Sequence, residues 1–151
     1  MEALESLDWS LAALGLGTAP KERGGKTMKL WMAAKAIVVL LFGLGFILAP
    51  AFLASIYGMK LDPAGALMAR LFGTAFILES IVLWFARNGA ISEKPVRGVV
   101  IAVVVSNAIG VIVTLLATLA GTWNALGWLS VALYLVFGLA FAYFWFFKKP
   151  K

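Results

Sequence analysis

The chain contains no cysteine and no histidine. Those absences exclude thiol nucleophiles, disulfides, thiolate-held zinc or iron–sulfur centres, histidine-ligated haem and the usual general base of a nucleophilic triad. Charge is also scarce, since 13% of the 151 residues are charged and 63% are hydrophobic, against about 25% and about 45–50% in a soluble domain. The alternating segments of about ten residues that mark an outer-membrane barrel are missing too.

What is present comes in long apolar blocks, at residues 30–56, 64–86, 96–121 and 126–147. Each reaches the roughly 20 residues that cross a hydrocarbon core of roughly 30 Å. Backbone groups facing lipid must satisfy their own hydrogen bonds, so blocks of this length are predicted to be helices. The predicted fold is therefore all-α: an integral membrane four-helix up-and-down bundle over residues 30–149, preceded by a short N-terminal amphipathic helix and linker at 1–29.

The leading segment differs from the rest. Leu4, Leu7, Leu11 and Leu14 fall on one helical stripe, with Glu2, Glu5 and Asp8 elsewhere. Its beginning is acidic and glycines break its apolar run, which makes it a poor signal peptide. Gly15 to Thr27 reads as a flexible linker. Met28 then opens MKLWMAAKAIVVLL, a natural beginning for a membrane chain, which marks residues 1–27 as an appended module or an overlong start.

Helix punctuation agrees with the blocks. Asp62-Pro63 supplies an N-cap and a first-turn proline, Asn88-Gly89 closes the second span, Pro95 opens the third, and the short link Thr122 to Ala125 makes the last two spans an antiparallel hairpin. Basic residues fix a direction. Lys21, Arg23, Lys26, Lys29, Arg87, Lys94, Arg97, Lys148, Lys149 and Lys151 gather at one end and Lys60 stands at the other. The expected address is the inner membrane, multi-pass, with both termini cytoplasmic. Trp31, Trp84 and Trp145 fit one interface, and Tyr57, Trp123 and Trp128 the other. Anionic lipid headgroups, and not nucleic acid, account for the formal charge of +6.

Small and hydroxyl residues recur every four positions: Gly65, Ala69 and Gly73; Ser106, Gly110, Thr114 and Thr118; Ser130, Tyr134, Gly138 and Ala142. Such stripes let helices approach closely in lipid. They can also line a groove for a ligand.

Glu79 is the conspicuous exception in its block. It lies eight residues before Arg87, about 12 Å below the basic boundary, where a bare carboxylate costs about 2.5–3.5 kcal/mol. Arg70 cannot pair with it, because nine residues separate them, about 13 Å and half a turn around the helix. Both flank the Gly65/Ala69/Gly73 stripe, so both are expected to point into helix contacts and not into lipid. Lys35, six residues beyond Lys29, about 9 Å deep, is the cation that fits Glu79. Asn107, with Ser106 beside it, falls at about 15 Å. The prediction is a buried polar layer of Lys35, Glu79, Ser106 and Asn107 that could serve as a ligand or proton site, and a second layer of Arg70, Thr114, Ser130 and Tyr134. Each member also has a plainer role: Lys35 and Arg70 can snorkel to headgroups, and Asn107 can act as interhelical glue.

The run GLGFILAPAFLASIYGMKLDPAGALMARLFGTAFILES resembles the DoxX-like group of small bacterial four-helix membrane proteins and its relatives of unknown function. The likeness rests on the glycine-rich first helix ending in Pro50, the Tyr57-Gly58 turn, the Asp62 helix start and the Arg70-x-x-Gly73 pattern. It covers Lys29 to Lys148 and implies a four-helix up-and-down bundle with no particular reaction.

Two roles compete. One is a non-enzymatic accessory or scaffold subunit of a larger membrane assembly, or a homo-oligomer. The other is a small proton-coupled transporter, or a binder of a lipid-like or cationic molecule, that uses Glu79. With no second carboxylate near Glu79, no metal cluster and no phosphate loop, neither an enzyme nor a cofactor is expected.

Overall fold

A computed structural model describes residues 25–147. The amphipathic helix expected at Leu4 to Leu14, most of the linker, and Lys148, Lys149 and Lys151 lie outside the described residues. Within them the chain forms helices α1 (Lys26–Leu48), α2 (Pro50–Ile56), α3 (Pro63–Ala86), α4 (Lys94–Leu119) and α5 (Gly127–Phe147), and no strand. The four long helices, of 23, 24, 26 and 21 residues, are each long and apolar enough to cross a membrane. Their outward faces carry large exposed apolar side chains such as Leu41, Leu78, Leu116 and Leu139. A helix that is apolar on all sides needs lipid outside it. This is a multi-pass membrane protein with an all-α, four-span bundle.

The first apolar block, expected as one rod over 30–56, is two helices. Pro50 has no N–H to donate and its ring restricts the residue before it, so Ala49 leaves helical geometry at φ −140° and ψ 59°. The helix then restarts at a new angle as α2. At its other end α1 begins at Lys26, about a turn earlier than the apolar block. Asp62 caps α3 as predicted, its carboxylate accepting from the Gly65 N–H at 2.6 Å. α2 and α4 end alike. Gly58 (φ 81°) and Gly121 (φ 71°) take the left-handed conformation, and the next residues, Met59 and Thr122, donate back to the carbonyls of Ala54 and Ala117 at 2.9 and 3.0 Å. These paired reversals satisfy helix-end carbonyls that no further helical turn would reach.

α1 packs closely along α3, and α4 along α5, while the two pairs touch one another sparsely. The first pair crosses at Gly43 and Gly73. A Cβ at Gly73 would stand 2.8 Å from the Gly43 carbonyl oxygen, and one at Gly43 would stand 3.0 Å from that of Gly73. Without a hydrophobic drive between helices in lipid, such close backbone approach supplies the dispersion contacts that hold the pair. In the second pair Gly110 makes room for the Tyr134 ring, and Gly138 faces the Cβ of Asn107.

The pairs are joined at their two ends. At the basic end Met28, Met32, Leu83, Val100, Phe141 and Phe144 form a fully buried cluster drawn from all four spans. At the opposite end the loops clasp: Asn124 donates from its backbone N–H to the Tyr57 carbonyl at 3.0 Å and from Nδ2 to the Ile56 carbonyl at 2.8 Å. Between these ends the pairs diverge.

Candidate functional site

The divergence leaves a chamber of about 510 Å³, inside the range of roughly 300–1,000 Å³ typical of small-molecule sites. Every helix contributes to its wall. α1 supplies Val39, Phe42 and Phe46; α2 supplies Leu53 and Ala54; α3 supplies Phe72 and Phe76; α4 and α5 add Ile109, Val113, Leu133 and Phe137. The surface is apolar and rich in aromatic rings, with polar groups at a few places.

The chief polar feature lies towards the basic end. Lys35 on α1 and Glu79 on α3 meet with Nζ 2.9 Å from Oε1. The antiparallel packing of α1 on α3 sets the two at matching depth. The lysine side chain is 4% exposed and the glutamate 26%, and both line the chamber. Lys35 also stands 5.7 Å from the centroid of the Phe137 ring. Glu79 Oε1 lies against the ammonium and is itself shut off from the chamber. The other oxygen, Oε2, accepts no hydrogen bond among the described residues and retains capacity to accept one.

The neighbours expected in this layer are placed as follows. Asn107 is buried in the chamber wall, its Nδ2 donating to the Val103 carbonyl at 2.6 Å. Ser106 lines the same wall and donates to Val103 at 3.1 Å. Both spend a donor on their own helix, which leaves Lys35 and Glu79 as the pair with charge to offer a ligand.

Of the second layer, Thr114, Ser130 and Tyr134 line the chamber. Thr114 Oγ1 donates to the Gly110 carbonyl at 2.7 Å, and Ser130 Oγ and Tyr57 Oη share a hydrogen bond of 2.8 Å. Arg70 does not join them. Its side chain is exposed and is absent from the chamber wall, contrary to the expectation that it points into helix contacts. The reason is the half-turn between positions 70 and 79: once Glu79 faces inward, Arg70 must face out.

Sequence reasoning missed the floor at the far end. Tyr57 and Trp123 read as interfacial anchors, but they face each other across 5.0 Å and line the chamber together with Met59, whose sulfur accepts from Trp123 Nε1 at 3.1 Å. The signal available was Tyr57-Gly58 at the end of a proline-broken helix, which turns the chain inward.

A family match covers this whole arrangement, from residue 33 to residue 149. The chain belongs to the DUF8292 family. That family is described as a domain of unknown function, and its matched span contains both members of the ion pair and all four membrane-crossing helices except the start of α1. No curated protein and no solved structure matches the DUF8292 chain.

Proposed function

We propose that this DUF8292 chain is a non-enzymatic membrane protein that binds a lipid-like small molecule between its two helix pairs. The observation that carries this role is the chamber itself: an apolar, aromatic-lined space inside the bilayer, with one buried Lys35–Glu79 pair at its wall. A bundle built only for structure would close such a gap, because empty volume forfeits dispersion contacts. The basic end, with Lys26, Lys29, Arg87, Lys94 and Arg97, is on this proposal cytoplasmic in the inner membrane. The DoxX-like likeness belongs to the same proposal and supports its fold alone.

The test is mass spectrometry of the small molecules that copurify under gentle extraction, comparing the wild type with the double variant Lys35→Met/Glu79→Gln. A molecule held at near-stoichiometric level by the first and lost from the second is the expected result. Equal retention by both, or none by either, would exclude the role.

A second role, as a subunit docked on another membrane protein, is favoured by Arg70. It is a charged side chain exposed seven residues inside α3, turned away from the chamber. An anionic group of a partner subunit would satisfy it.

A further inference from the structure

Resting on the binding role proposed above, we infer that the chamber loads sideways from the bilayer through a gap between α3 and α4, and that its occupant is a neutral, single-tailed lipid with a hydroxyl or amide head seated between Lys35 and Glu79.

The route follows from which wall residues are exposed. Phe72 and Ala75 on α3, and Ser106, Ile109 and Val113 on α4, are exposed; the lining residues of α1, α2 and α5 are all buried or half-buried. Phe72, Ile109 and Val113 are 50%, 57% and 57% exposed while still forming chamber wall, so they are the two jambs of an opening. The other ways out are shut. The Met28–Phe144 cluster fills the basic end, and the Asn124–Ile56 and Tyr57–Ser130 hydrogen bonds tie the far end. α3 and α4 meet only sparsely, as do α1 and α5, but Trp31 packs edge-on against Phe137 at 6.0 Å across the α1–α5 seam, and no lining residue there is exposed. A side opening at this level meets acyl chains and not water, so what comes through it must be dissolved in the membrane.

The head follows from charge balance and depth. Lys35 and Glu79 neutralise one another at 2.9 Å. An anionic head drawn to the lysine would strand the carboxylate, and a cationic head drawn to the glutamate would strand the ammonium. Either leaves an uncompensated charge in a medium that penalises it heavily. A neutral group that both donates and accepts meets both partners and disturbs neither: it donates a hydrogen bond to the Glu79 oxygen that does not face the ammonium, Oε2, and accepts one from Lys35. Glu79 also lies about 12 Å inside the basic boundary, close to the middle of a core of roughly 30 Å. A phospholipid phosphate does not descend that far, whereas an alcohol or amide can. The body then runs towards Trp123 and Tyr57 along the phenylalanine-lined wall, in a volume suited to one tail.

The probe is hexadecanol brominated near its tail, added to the full chain in phospholipid vesicles. Quenching of Trp123 is read as the signal that the Trp123→Phe variant lacks. Unbrominated competitors are hexadecanol, hexadecanamide, hexadecanoate, hexadecylammonium and hexadecane. We expect the alcohol and amide to compete best and the alkane to be at least about tenfold weaker for want of a charge-assisted hydrogen bond. The gap is then bridged. The chain has no native cysteine, so Ala75→Cys/Ile109→Cys joined by a bifunctional thiol reagent closes it selectively. Loading and release should both slow by about tenfold or more, with Kd unchanged, relative to the unbridged pair.

Absence of any Trp123 quenching in the wild type would overturn the binding role itself. Quenching with unaltered rates after bridging would leave that role intact and overturn the route. Spontaneous disulfide dimers of Ile109→Cys alone would show a second copy covering the gap and overturn the route as well. Competition by either charged amphiphile as strong as that of the alcohol would overturn the neutral head.

Discussion

Removing Glu79 should damage the fold more than removing Lys35, and removing both should damage it least of all in proportion. The lysine side chain is 4% exposed and the glutamate 26%. Glu79→Gln leaves the better-buried ammonium without its counter-charge, and breaking a buried pair from one side costs about 3–5 kcal/mol; we take about 3. Lys35→Met leaves the less buried of the two charges, 26% exposed against 4%, so a smaller cost of about 1 kcal/mol follows from the same reasoning. In Lys35→Met/Glu79→Gln neither charge remains. A thioether chain fills the lysine's volume, and the net cost should stay near about 1 kcal/mol because replacing a buried pair by uncharged groups is often neutral. The coupling energy is then about 3 kcal/mol, far above the few tenths expected of independent sites. Reversible unfolding in mixed micelles with rising SDS, followed by far-UV circular dichroism, measures all four corners of the cycle. Additive losses would show that the two side chains do not interact in the membrane, and the neutral-site account of the chamber would go with them.

Three further outcomes are expected. Gly73→Val should destabilise the bundle by about 1–3 kcal/mol, because the added Cβ would meet the Gly43 carbonyl oxygen at 2.8 Å. Gly98→Ala, with nothing within 4 Å, should stabilise it by roughly 0.5–1 kcal/mol, both read by the same SDS titration. Arg70→Gln should leave copurification of the small molecule unchanged, since the side chain is exposed away from the chamber, and should release any protein partner held at that face in a gentle pull-down.

Much of the scaffold was legible because its causes are local. Lengths of apolar blocks, the Asp62-Pro63 start and the hairpin at Thr122 to Ala125 each depend on residues near one another in the chain. The meeting of Lys35 with Glu79 was legible too, since antiparallel neighbours in a membrane share a depth scale and a buried charge needs an opposite one. The fate of Arg70 needed more. Its distance from Glu79 along the helix was readable, but which side of α3 faces protein depended on Gly73 seating against Gly43. Likewise Tyr57 and Trp123 carry the composition of interfacial anchors, and only the break at Ala49 and the clasp of Asn124 on the Tyr57 loop turned them into the end of a chamber.

The sequence by itself determined that four helices span a bilayer and that a lysine and a glutamate lie at one level within it, because hydrophobic length and the cost of lone charge in hydrocarbon act on each segment separately. Only the tertiary structure decided that the spans associate as two close pairs that part in the middle. That outcome depends on where small residues from distant segments coincide, and the space it leaves, open between α3 and α4, is a property of no single helix.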